Sequence, residues 1–94
     1  MSSSLDNLFK DIERGVVPVL FLTDDYPTPS FLKNMLKEIK TVFLLDAESS
    51  EILQIAQVPQ IRIYVNGSER KSLIGDEILR WKEHVNKLGA THEL

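Results

Sequence analysis

Apolar residues along this chain fall into two patterns, stripes at helical spacing and short runs with no polar position. Leu5, Leu8, Phe9 and Ile12 stand three or four apart behind Ser4, a good N-cap residue, and Gly15 follows Arg14 as a stop. A first helix over about residues 5–14 is predicted. Val19-Leu20-Phe21-Leu22 is apolar on both faces, the mark of a strand covered by helices on both sides. Pro18, which donates no ladder hydrogen bond, belongs among that strand's first residues. Thr28-Pro29 reads as a helix start, with the hydroxyl as cap and proline as first helical residue. Phe31, Leu32, Met35, Leu36 and Ile39 form that helix's apolar face, and Thr41–Leu45 follows as a second buried strand. Asp46, Ser49 or Ser50 can cap a short helix carrying Ile52, Leu53 and Ala56. It must end before Pro59, because proline pushes residue 58 into extended geometry.

Residues 60–74 read as a hairpin turning at Asn66-Gly67, since both central residues of a type I′ turn need positive φ. Alternation places Ile61, Ile63 and Val65 on one face and Gln60, Arg62 and Tyr64 on the other. A two-residue turn sets Arg62 opposite Lys71 and Tyr64 opposite Glu69. A strand covered by helices should not carry that polar row, so its face is expected in solvent, or else beneath a partner. Glu69 is the nearest carboxylate for Arg62 if the face is desolvated. Ile78, Trp81, Val85 and Leu88 then mark a last helix ended by Gly89, with a mobile tail over 90–94. The element order is α-β-α-β-α-β-β-α. Right-handed crossovers make the first two strands parallel and the hairpin adds antiparallel ones, giving an α/β four-stranded mixed sheet with helices on both faces.

Composition narrows the functional classes. The 94 residues suit a single domain, and with 43% hydrophobic residues and no cysteine its stability must come from apolar burial. A net charge of −3 with interspersed signs argues against nucleic acid as partner, and Arg62 with Arg70-Lys71 makes only a small patch offset by Glu69. The longest apolar run, Val16 to Leu22, contains Pro18 and is too short to span a bilayer. Met1 to Leu5 does not read as a secretory leader, so a cytoplasmic protein is expected.

Candidate chemistry is sparse. Asp24-Asp25 precedes a helix start, where two carboxylates more often favour the helix dipole than perform acid–base work. Thr28 has no neighbouring base to activate it, and capping explains it. His84 and His92 lack partners at metal-ligand spacing, and Asp46, Glu48 and Glu51 do not form a calcium-loop pattern. No catalytic residue, metal site or cofactor is expected. Tyr26 stands in a loop bracketed by Pro27 and Pro29, where its ring suits peptide contact and equally suits anchoring of the loop itself.

Val58-Pro59, the strand to Val65, the turn at Asn66-Gly67 and the return to Gly75 resemble the thioredoxin-like superfamily over about residues 16–89. The resemblance implies that Pro59 corresponds to the family's cis-proline, beside Gly75 on a face that grips extended peptide. A trans-proline ending a helix is the alternative. The family's Cys-x-x-Cys falls on Tyr26-Pro27-Thr28-Pro29, its buried acid falls near Leu20, and its first strand has no counterpart before Leu5. With no thiolate nucleophile, the family's redox chemistry is absent. What the resemblance implies is a redox-inactive protein-binding module, with contacts at Asp25, Tyr26, Pro27, Val58, Pro59, Ile74 and Gly75. The alternative is a subunit or self-associating domain using its hairpin edge.

Overall fold

The computed structural model describes residues 4–27 and 29–92. Its elements run α1 (Ser4–Asp11), β1 (Val16–Thr23), α2 (Ser30–Leu36), β2 (Thr41–Leu45), α3 (Ala47–Leu53), β3 (Gln60–Val65), β4 (Ser68–Ile74), a 3₁₀ segment (Gly75–Arg80) and α4 (Trp81–His92). The sheet order is β2-β1-β3-β4, with β1 and β2 parallel and the other pairs antiparallel. The order expected from the sequence is present, and the 3₁₀ segment is an addition to it.

Each face of the sheet buries its own core. Leu20 and Leu22 of β1 pack with Ile61, Ile63 and Leu73 against Leu32, Met35 and Ile39 of the α2 region and Ile78 and Trp81 of the last helical stretch. Val19 and Phe21 point the other way, joining Phe43 and Leu45 of β2 beneath Leu5, Leu8 and Ile12 of the α1 region. The Phe21 and Phe43 rings meet tilted, with centroids 5.9 Å apart. Strand alternation thus distributes β1 between two cores, which is why its stretch from residue 16 to residue 22 contains no polar position.

Several boundaries differ from expectation. α1 ends at Asp11, not near residue 14, and Gly15 instead serves the entry to β1 at φ +76°. Its N–H donates to Asn66 Oδ1 at 2.9 Å and its carbonyl accepts from the Asn66 N–H, so the hairpin tip is tied to the α1–β1 loop. Asn66 and Gly67 both take the positive φ a type I′ turn requires. Pro29 occupies the N-cap of α2 and not its first turn, while the Thr28 cap lies outside the described residues. Phe31 and Leu36, expected in the core, are exposed. β2 is buried on one face only, because it is an edge strand whose Val42 and Leu44 are not covered by a helix. α4 runs through Gly89 to His92, since a helical glycine costs only about 1 kcal/mol and is tolerated inside a packed helix. Residues 90–92 are therefore helical, and 93–94 lie outside the described residues.

The largest correction concerns β3. Gln60, Arg62 and Tyr64 are buried, Arg62 to 9% exposure, and the chain itself covers them. Tyr64 belongs to the core under α1, and the Arg62 guanidinium sits 5.8 Å from the centroid of the Phe21 ring. Arg62 Nε donates to Gln60 Oε1 at 2.7 Å, and a terminal nitrogen donates to the Gln54 carbonyl at 3.4 Å. The same Gln60 oxygen accepts from the Ser72 hydroxyl at 3.2 Å, and Gln60 Nε2 donates to the Gln57 carbonyl at 3.4 Å. A β-bulge between Ile63 and Tyr64 shifts the hairpin register, so Arg62 faces Ser72 and the costly Arg62–Lys71 opposition never arises. Tyr64 does face Glu69, and Glu69 reaches Arg62 at 3.6 Å. Burial is the largest influence on Tyr64 and pushes its hydroxyl above the ordinary value of 10.0, against the opposing hydrogen bond from Arg62.

Two predictions follow the energetics of these contacts. Glu69 is largely exposed, so Glu69→Gln should cost less than about 1 kcal/mol in urea unfolding. Arg62→Ala removes packing on Phe21 and one of the two donors to the buried Gln60 oxygen, and should cost roughly 2–4 kcal/mol. A third prediction concerns Asp46, which caps α3 in a reciprocal box with Ser49. The Ser49 backbone N–H at 2.7 Å, helped by the Ser49 hydroxyl, holds the Asp46 carboxyl below its ordinary value of 3.8. A depressed folded value stabilises fully above the unfolded one and fades as pH falls through the folded one. Asp46→Asn should therefore melt below wild type near neutral pH, and the gap should close in strong acid.

Candidate functional site

Register decides what meets at the amino-terminal end of β3. Gln60 pairs with Ile74, so the residue before it, Pro59, and the residue after its partner, Gly75, are brought side by side. The Val58-Pro59 peptide bond is cis. Gly75 has φ +60°, where a Cβ would find open space but the backbone would be strained by about 1–2 kcal/mol. The β1–α2 loop reaches the same corner, with the Tyr26 N–H donating to the Thr23 carbonyl at 3.1 Å.

Between these segments lies an open cleft of about 440 Å³. Tyr26, Pro59 and Gly75 line it together with Phe31, Gln57, Asp76, Ile78 and Leu79. Of the seven residues expected at the site, three therefore converge there. Asp25 and Pro27 are exposed in the flanking loop, and Ile74 is exposed at the end of β4. Val58 packs against the core under α1 and so belongs to the opposite side of the sheet. Phe31, Gln57, Asp76 and Leu79 were not anticipated. Leu79, 60% exposed, left one readable sign, for it is apolar yet lies off the stripe of Ile78, Trp81, Val85 and Leu88.

The cleft walls combine two aromatic rings and a leucine with one carboxylate, Asp76, and include no cationic side chain among the described residues. Nothing there resembles a nucleophile with a base beside it. Asp24 and Asp25 are solvent-exposed in their turn. His84 lies elsewhere, in a shallow surface groove with Arg80, Glu83, Asn86 and Lys87. Among the described residues no three metal-ligating side chains cluster, and no helix is long and apolar enough to cross a membrane.

No family model matches the sequence, and no curated protein matches it. Solved structures match its fold. The oxidised thioredoxin of Plasmodium falciparum superposes with a TM-score of 0.69 at 19% identity, covering 95% of this chain and 93% of its own. A thioredoxin from Trypanosoma brucei brucei gives 0.69 at 10% identity, over 93% and 87% of the two chains. A designed protein gives 0.69 at 21% identity, over 98% and 89%. Sheet order, helix placement and these superpositions agree that the chain has the thioredoxin fold, with no cysteine in its 94 residues.

Proposed function

We propose that this chain is a redox-inactive binding module that holds an extended peptide segment in the cleft between Tyr26, Pro59 and Leu79. The observation that carries the reading is the cleft itself, apolar-walled and open, with Pro59 and Gly75 side by side and no thiol to act on what it holds. Its volume of about 440 Å³ accommodates one or two side chains of a bound strand. Tyr26 and Phe31 supply rigid aromatic surface at low entropic cost, the kind of anchor that dominates peptide binding. Asp76 in the wall, with Asp25 next to Tyr26 in the chain, favours a partner whose apolar residue is flanked by lysine or arginine.

The hairpin edge is the weaker candidate for the same role. β4 exposes Glu69, Arg70, Lys71 and Ser72 and contains a register shift, both of which oppose strand addition.

Binding is measured with extended peptides selected against the purified chain by display, then titrated by calorimetry. Tyr26→Ala and Leu79→Asp should each weaken binding roughly 10- to 30-fold while leaving the circular dichroism spectrum unchanged. Asp76→Asn should weaken basic peptides more than neutral ones. Selected peptides that bind all three variants as tightly as wild type would remove the cleft from consideration.

A further inference from the structure

The two edges of the sheet differ in kind. β4 exposes a row of charges, whereas β2, Thr41-Val42-Phe43-Leu44-Leu45, carries no charge, proline, glycine or bulge. Among the described residues, its outer side has no strand neighbour. Val42 and Leu44, pointing away from the core that holds Phe43 and Leu45, are 38% and 55% exposed. Along the other face a groove of about 320 Å³ runs between Thr41, Val42, Phe43 and Leu44 and the α1 residues Asn7, Leu8 and Asp11. An edge this apolar and regular is a template for a further strand.

We infer that the strand it receives is β2 of a second copy, paired antiparallel about a two-fold axis through Phe43. Charge identifies the occupant. Lys40 immediately precedes the strand and Asp46 immediately follows it, both exposed. A segment with a cation at its start and an anion at its end is complementary to its own antiparallel copy. Parallel pairing would instead set Lys40 against Lys40. The axis at Phe43 places Lys40 opposite Asp46 at both ends and Val42 opposite Leu44 on the exposed face. Centring on Val42 would place Lys40 opposite Leu44 and lose both ion pairs. Asp46 stays available because both its side-chain bonds to Ser49 use the same oxygen, Oδ1. The interface is isologous, as a closed two-fold dimer requires, and joins two four-stranded sheets into one continuous sheet. Five residues a side make a short seam, so the dimer is a weak one.

The test uses the full chain, whose lack of cysteine makes introduced thiols unambiguous. Wild type should sediment as a monomer–dimer mixture in the micromolar range. Leu44→Lys should be monomeric with an unchanged circular dichroism spectrum, and Lys40→Glu should raise the dissociation constant roughly tenfold. Under mild oxidation, Val42→Cys mixed with Leu44→Cys should form interchain disulfides, because opposed residues lie about 4.5–5.5 Å apart. Either variant alone should cross-link poorly, its thiols being diagonal at about 7–8 Å. Four outcomes overturn the inference: a monomer throughout the micromolar range, a dimer that survives Leu44→Lys, equal cross-linking alone and mixed, or a monomer whose outward β2 amides resist hydrogen exchange. The last would mean that this edge is occupied by something other than a second copy. None of these results bears on the peptide cleft, which lies at a different corner.

Discussion

β3 is buried along its whole length, so each polar group it carries must be satisfied within the fold. Three of its six side chains are polar or amphipathic, and the structure gives each a partner. Gln60 occupies the centre of the arrangement, accepting from Arg62 and Ser72 through one oxygen while donating to the Gln57 carbonyl. Arg62 in turn donates to the Gln54 carbonyl at the left-handed end of α3. The carbonyls used are those of the α3–β3 connection, which holds Gln57 and leads directly into Pro59. The buried network therefore fixes the segment that forms one wall of the cleft.

That dependence ties stability to the site. The same register that pairs Gln60 with Ile74 sets Pro59 beside Gly75, and the bulge that follows at Ile63 and Tyr64 spares Arg62 a facing lysine. Tyr26 and Phe31 approach from the β1–α2 corner, Ile78 and Leu79 from the 3₁₀ segment. The β1–α2 corner, the α3–β3 connection and the 3₁₀ segment are separated in sequence, and the sheet holds them together. In a chain without thiols, what this corner retains is shape and apolar surface with one carboxylate.

The sheet's margins follow a second constraint. A four-stranded sheet has two edges, and the charged, bulged β4 protects itself whereas the uncharged β2 does not. Exposure of Val42 and Leu44 follows from α2 and α4 packing over the centre of the sheet, where Leu20, Ile61 and Ile63 lie, and not over its β2 margin.

Periodicity in the sequence determined the element order, the two-sided burial of Val19 to Leu22 and the hairpin tip at Asn66-Gly67. Each of these rests on local chemistry, either side-chain spacing or the positive φ that asparagine and glycine tolerate. Resemblance to the thioredoxin-like superfamily, and not periodicity, implied that Pro59, Gly75 and Tyr26 lie together. Only the tertiary structure decided that the Gln60, Arg62 and Tyr64 face is interior, because a polar side chain does not announce whether a distant segment will offer it a carbonyl. The register shift, the inward turn of Val58 to the opposite core, and the exposure of Phe31, Val42 and Leu44 were likewise beyond periodicity. Spacing reports which residues share a face of their own element, whereas coverage of that face depends on elements far away in sequence and on where the sheet ends.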